Sequence, residues 1–196
     1  MEEYALDDLD VLGEHIIKTS RQGMADAINE LPKGSWSAEM RIDGYEAPLD
    51  LKAMLTIGEG EILVDFAGTS GVSEFGINCP LCYTEAYTSF GVKCVVGAAI
   101  PNNAGTLDAI RVIAPEGSIV NAPHPCAVVA RASIGHMLPD VVFGCLHQAL
   151  PEVVPAEGTS NLWNLKLGAG HGMTGPETKS PFMMMSFHSG GAGARP

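Results

Sequence analysis

The sequence predicts an α+β fold in which an antiparallel β meander or mixed sheet packs against two or three helices. Apolar residues recur at every third or fourth position near the start and beyond the middle of the chain, the spacing of one helical face. Between those segments, three neighbouring runs alternate apolar and polar residues with the period of half-exposed strands. A chain of 196 residues that is 46% hydrophobic can bury a substantial core. We read it as a single region, 1–196, divisible into a helix with its meander (1–66) and a loop-rich remainder (67–196).

From Ala5 to Leu31, the positions Leu9, Leu12, Ile16, Met24, Ile28 and Leu31 form one apolar stripe, and Pro32-Lys-Gly34 ends the helix. Gly13 and Gly23 weaken it, so the segment reads as one kinked helix or as two. Ser35 to Asp43 alternates through Trp36, Ala38, Met40 and Ile42, and Leu49 to Ile57 repeats the pattern. Gly58-Glu-Gly60 makes a turn, and Glu61 to Phe66 supplies a third strand of an antiparallel meander. Leu81 to Val96 reads as a buried helix, although periodicity leaves a strand open within Val92–Val96. Ala109 to Ile113 is a short strand before the turn Pro115-Glu-Gly-Ser118.

The clearest helix ends at Leu150, with Ile134, Met137, Leu138, Val141, Val142, Cys145, Leu146 and Ala149 on its stripe. Pro139 belongs in its first turn, where it removes no hydrogen bond. Strands are expected at Leu162–Leu167 and at Phe182–His188. Met183-Met-Met185 alternates between both faces of the last one and reads as core or subunit contact.

A formal charge of -12 and a pI near 4.7, with no Lys/Arg cluster, argue against nucleic acid and anionic membranes as partners. The N-terminus is acidic and no apolar run reaches the length of a spanning helix, so a cytoplasmic location is expected. Five cysteines without regular spacing fit free thiols in a reducing compartment.

The strand ending at Asp65 runs into a polar, Gly-rich loop that closes on Asn78-Cys-Pro80, the kind of connection that carries function. Asp65 and Asn78 either fix a ligand or satisfy loop backbone groups, as Asx turns do. Cys79-Pro-Leu-Cys82 lacks the second pair of a zinc site, which favours buried free thiols. His124, between Pro123 and Pro125, is presented from a stiff loop as a site or interface residue, or is simply solvated. Arg131, Ser133 and His136 precede the strong helix, where a cation beside free backbone N–H groups can anchor a carboxylate, bicarbonate or phosphate; the alternative is a surface ion pair. His147 lies opposite the apolar stripe, and His171 sits in a Gly-rich loop. No Walker loop, nucleophile elbow or His-Glu-x-x-His helix is present, so any nucleotide would be bound elsewhere.

Asp65-Phe-Ala-Gly-Thr-Ser70, Gly76-Ile-Asn-Cys-Pro80, Asn103-Ala-Gly105 and Val112-Ile-Ala-Pro-Glu-Gly-Ser118, with the terminal Gly190-Gly-Ala-Gly-Ala-Arg-Pro196, together resemble the hydantoinase B/oxoprolinase family over nearly the whole chain. That resemblance implies one half of an ATP-dependent machine that opens cyclic amides such as hydantoins and 5-oxoproline, or carboxylates ketones such as acetone and acetophenone. A hydantoinase A-type partner would bind ATP and phosphorylate the substrate, and the B-type part would complete the reaction.

If the reaction follows the family, loop position and residue type make Arg131 and His136 the catalytic candidates, orienting an anionic intermediate, and Asp65, Asn78, Asn103 and His124 the substrate-binding ones. Family chains are longer and carry an N-terminal segment whose His and Asp residues look like ligands of a divalent metal. Nothing here matches that segment, so the sequence resembles an interior piece and no metal ligand is assigned. Where hydantoinase-like members have Gly-Gly-Asn, this chain has Ala130-Arg131-Ala132-Ser133, followed by Ile134-Gly-His136 and later by Pro155-Ala-Glu-Gly158, a version nearer the carboxylase side. Amide hydrolysis is the first expectation, ketone carboxylation the second, and a non-catalytic assembly role the third. A homo-oligomer is compatible with each.

Overall fold

A computed structural model describes residues 9–159, 162–169, 182–191 and 193–194. The elements are α1 (Asp10–Asn29), β1 (Gly34–Ile42), β2 (Leu49–Ile57), β3 (Ile62–Asp65), α2 (Leu81–Val95), α3 (Ala104–Leu107), β4 (Ile110–Ile113), α4 (Ala132–Gly135), α5 (Leu138–Ala149), β5 (Leu162–Ala169) and β6 (Phe182–Ser189). Strands β1 to β4 form one sheet in that order, and β5 pairs with β6 in a separate hairpin. The expected α+β class is the one observed, with a mixed four-stranded sheet against helices.

The first three strands are the antiparallel meander that their alternation predicts. The fourth joins β3 in parallel, because α2 and α3 carry the chain back across the sheet before β4 begins. Inward positions Leu51, Leu55, Ile57, Ile62 and Val64 are buried against Val142 and Leu146 of α5, Val92 of α2, and Met24 and Ile28 of α1. The opposite face is mostly polar, with Met54 and Ile113 exposed on it. There Ser35 meets Thr56 at 2.8 Å, Arg41 meets Asp50 at 3.3 Å and Lys52 meets Glu39 at 3.5 Å; such exposed pairs contribute at most about 1 kcal/mol each.

Helix α1 is one continuous helix, because neither glycine needs to break it. A side chain at Gly13 would meet nothing within 4 Å, and one at Gly23 would make ordinary contact with Ile100. Pro139 sits at the start of α5, as its missing N–H predicts. Glycines also set how closely the layers approach: a Cβ on Gly144 would lie 2.8 Å from the Ala38 methyl, and one on Gly91 would lie 3.0 Å from the Cα of Pro139. Met184 and Met185, on opposite faces of β6, are both exposed, so neither belongs to a core here. His171 and the start of the expected first helix, Ala5 to Asp8, lie outside the described residues.

Helix α3 meets α1 through Gly105, whose Cα faces the Ile17 carbonyl and the Arg21 amide. Gly105→Ala would drive a methyl into that backbone and should cost about 1–3 kcal/mol, read as a lower urea midpoint at unchanged m value. Gly13→Ala, in open space on a helix, should instead stabilise by about 0.5–1 kcal/mol in the same assay.

Candidate functional site

The site is built on a mismatch of strand lengths. β3 pairs only with Met54–Ile57 of β2, so the first half of β2 has no strand beside it on that edge. The Gly-rich loop supplies the missing partners. Asp50 N–H donates to Ser70 Oγ and Ser70 N–H to the Asp50 carbonyl, both at 2.9 Å. Thr69 Oγ1 accepts from Lys52 N–H and donates to the Lys52 carbonyl, both at 3.0 Å. On the loop's other side, Ile119 N–H reaches the Ser70 carbonyl at 2.9 Å and Val72 N–H the Gly117 carbonyl at 3.1 Å. The turn into this segment uses Gly68 at φ +85°, with Asp65 Oδ1 accepting from Ala67 N–H at 2.9 Å.

Two side chains shape the rest of the loop. Glu46 accepts the Ser73 hydroxyl on both oxygens (2.7 and 2.9 Å) and the Glu74 N–H at 2.7 Å. The Ser73 hydrogen bond holds its carboxyl below the usual range. Asn78 is fully buried. Its Oδ1 accepts from Ser73 N–H at 2.7 Å, while its amide group donates to the carbonyls of Ser73, Phe75 and Ala127, each at 2.9 Å. Of the two readings open for Asn78, the geometry is that of the loop organiser.

The same loop is tied to the 122–136 segment. Ala130 N–H donates to the Gly76 carbonyl at 2.7 Å, Ala122 N–H to the Cys79 carbonyl at 3.0 Å, and Cys79 Sγ lies 3.3 Å from the Arg131 carbonyl. Burial pushes the Cys79 thiol up to about 12, which leaves it protonated and unreactive at neutral pH. Cys82 is exposed instead, so only the first of the two thiols follows the buried reading.

Arg131 and His136 converge on an aromatic wall presented by α2. Tyr83 and Tyr87, four residues apart on one helical face, stack with centroids 4.6 Å apart. The Arg131 guanidinium lies 5.3 Å from the Tyr83 centroid, a cation–π distance, and donates once to the Val128 carbonyl at 3.2 Å. His136 Nε2 is 3.1 Å from the Tyr87 hydroxyl, with the rings 5.3 Å apart. Gly135 is what lets α4 approach, since a Cβ there would enter the Tyr83 ring. Burial lowers the pKa of His136, so the imidazole is neutral at pH 7. Burial, and then the Tyr87 hydrogen bond, raise the pKa of Tyr83 and keep its phenol protonated.

Most of the N–H groups expected to be free beside Arg131 are taken. The α4 turn consumes those of Ser133, Ile134, Gly135, His136 and Met137, which leaves the guanidinium as the main group there suited to an anion. The remaining predicted residues are dispersed. His124 is exposed on the loop that leads to Arg131. Asp65 lines a shallow cleft on the outer sheet face with Lys52 and Met54. Asn103 caps α3, accepting from Gly105 and Thr106 N–H at 3.0 and 3.3 Å, and donates to Ser20 on α1 at 2.7 Å. Tyr83, Tyr87 and Glu46 escaped the sequence reading. The four-residue spacing of the tyrosines was the available signal; Glu46, 27 residues from Ser73, had none. Among the described residues, no three His, Cys, Asp or Glu side chains are grouped to hold a metal ion. No described helix is long and apolar enough to cross a membrane.

The fold, a mixed four-stranded sheet packed against helices, has known counterparts. The chain belongs to the hydantoinase B/oxoprolinase family, whose model matches residues 1–196. It is 30% identical over 209 residues to a protein named as the B-type subunit of a D-/L-hydantoinase in Pseudomonas sp. (strain NS671), covering 100% of this chain and 34% of that relative. Its fold is similar to that of the ATP-dependent caprolactamase of Pseudomonas jessenii, with a TM-score of 0.75 at 19% identity over 93% of this chain and 31% of that one. An acetone carboxylase in its nucleotide-free state gives 0.67 at 14% identity over 76% of this chain and 22% of that one. The chain thus spans about a third of the length of the hydantoinase relative it matches end to end.

Removing the Asn78 carboxamide leaves Ser73 N–H and three carbonyls without their partner. Asn78→Ala should therefore cost about 2–3 kcal/mol in urea unfolding. For His136, the folded pKa lies below the unfolded value of about 6.5. The unfolded chain then binds the proton first as pH falls, so this contribution to stability is full above that value and is lost as pH drops through it. The melting temperature should fall between pH 7 and pH 5, and His136→Gln should flatten that slope.

Proposed function

We propose that this chain is the B-type component of an ATP-dependent hydrolase of cyclic amides of the hydantoin and 5-oxoproline class. The observation that carries the reading is the family match over residues 1–196, together with the B-type hydantoinase relative aligned across the whole chain. The name of the caprolactamase neighbour, an ATP-dependent enzyme acting on a lactam, agrees with it. ATP would be bound by an A-type partner, which activates the ring's amide oxygen. This component would then bring water to the activated carbonyl carbon.

Within that reaction, the exposed Arg131 guanidinium is the group suited to the anionic intermediate, because one N–H goes to Val128 and the rest of its fork is open to solvent. The neutral His136 imidazole, hydrogen-bonded to Tyr87, is suited to taking a proton from water. Asn78 and Asn103 act from behind, holding the loop and α3 in place. His124, exposed on the loop before Arg131, and Asp65, at the end of β3 on the outer sheet face, would meet substrate only at its periphery.

A second reading, carboxylation of a ketone with ATP and bicarbonate, is favoured by the Ala130–Ser133 segment and by the acetone carboxylase neighbour. The test reconstitutes the chain, within its complete B-type component, with an A-type partner and measures ATP-dependent turnover of 5-oxoproline, hydantoin and acetone. Ring opening should appear, and Arg131→Ala and His136→Ala should each lower kcat by about 10²-fold or more. Incorporation of labelled bicarbonate into acetone would establish the second reading instead. Turnover unaffected by both substitutions would remove these residues from the chemistry, and no turnover of any substrate would leave an assembly role.

A further inference from the structure

The hydrogen bond between Tyr87 and His136 has a direction, and the groups around it show which. Tyr87 is held on α2 between two rings, with Tyr83 stacked on it at 4.6 Å and Phe90 edge-on at 6.5 Å between centroids. Its hydroxyl oxygen lies 3.1 Å from Nε2 of His136, and which atom donates depends on which ring nitrogen holds the imidazole proton. The two arrangements are unequal. A phenol oxygen shares its lone pair with the ring and accepts weakly, whereas an unprotonated imidazole nitrogen, whose conjugate acid has a pKa of about 6.5, accepts strongly. Burial keeps His136 neutral, so such a nitrogen is present.

Tyr83 points the same way. Its pKa is raised by burial and then by a hydrogen bond to Tyr87, and a bond that favours the protonated form of a phenol is one that its O–H donates. The Tyr87 oxygen is thus already an acceptor, and its own proton is left for Nε2. The order is Tyr83 O–H to Tyr87, then Tyr87 O–H to His136. It leaves the imidazole proton on Nδ1 and the basic lone pair of Nε2 behind the Tyr87 hydroxyl.

We propose that Tyr87 is a catalytic residue that relays the proton of the attacking water to His136. The relay rests on the hydrolase reading of this site and adds to it the path the proton takes. A lone pair of the water oxygen forms the bond to the activated carbonyl carbon, and one water O–H bond breaks with its electrons staying on that oxygen. The released proton goes to the Tyr87 oxygen as the phenol's own proton crosses to Nε2. The double-bond pair of the carbon moves to the neighbouring heteroatom, the imidazole becomes imidazolium, and Tyr87 ends as the neutral phenol it was. A Tyr87 that only packed α2 against α4 would need its ring and not its hydroxyl.

The test joins a spectroscopic reading to kinetics. With nitrogen-labelled histidine in this chain at about pH 8, where the imidazole is neutral, the magnetic-resonance signals lost in His136→Gln identify His136. They should report a proton on Nδ1 in the wild type and in Tyr83→Phe. In Tyr87→Phe, which keeps the ring and its stack, the proton should move to Nε2, the form that neutral histidine favours in water. Within the complete B-type component and with an A-type partner, Tyr87→Phe should lower kcat for ring opening of hydantoin or 5-oxoproline by about 10²-fold. His136→Ala should do the same, and the double variant should fall no further than either. A wild-type His136 protonated on Nε2, a proton that stays on Nδ1 in Tyr87→Phe, or full turnover by Tyr87→Phe beside a slow His136→Ala would overturn the relay and leave the hydrolase reading standing. No ring opening by the wild-type complex would overturn both together. Should Tyr87→Phe fail to fold, the wild-type tautomer still decides.

Discussion

The difference in length between β2 and β3 is the constraint on which the rest of this molecule depends. A nine-residue strand beside a four-residue one leaves backbone groups that must find partners, and the Gly-rich loop provides them through Thr69 and Ser70. Because Thr69 binds Lys52 with a side-chain oxygen rather than with main chain, the segment can sit in a strand's place without strand geometry. It then turns away to bond with 117–119 on its far side. A loop held on both edges in this manner is a rigid surface element. Among its glycines, Gly68 supplies a positive φ and Gly76 makes room for the Val129 side chain.

That rigidity is passed on. Once Ser73 to Cys79 is fixed by Asn78 and Glu46, the carbonyls of Gly76 and Cys79 present themselves to the 122–130 segment, which in turn sets where Arg131 begins α4. Helix α2 starts immediately after the loop, so Tyr83 and Tyr87 face Arg131 and His136 as a consequence of the same anchoring. The buried amide of Asn78 therefore affects the site more through the backbone than through any contact of its own. In this respect the arrangement follows a general pattern, in which groups that touch a reactant are held by a shell of satisfied polar groups behind them.

The half-buried position of His136 has a similar origin. Gly135 allows α4 to lie against the Tyr83 ring, and that approach brings the imidazole out of water and lowers its pKa. Arg131, one turn earlier, remains exposed over the same ring system. Two groups of different charge thus share one aromatic surface, the cation solvated and the imidazole neutral, although only five residues separate them in sequence.

Much of this was legible in the sequence because its signals are local. Period-two alternation determined β1 and β2 almost to the residue, three-and-four spacing determined α1 and α5, and Pro139 located the start of α5, since each pattern reflects burial on one face of a single element. The Asp65–Pro80 loop and the Arg131–His136 segment were visible as punctuated polar runs between such elements. What remained hidden is non-local. That β4 returns parallel to β3, that Glu46 clasps Ser73, that the N–H groups of Ser133 to Met137 are spent in a turn, and that Asn103 braces α1 against α3 all depend on which segments meet in space. Residue identity by itself determined which faces must be buried and where the chain must turn; tertiary structure alone decided which polar groups are consumed by the backbone and which are left to act, because hydrogen-bond satisfaction is settled only when distant segments come within about 3 Å of each other.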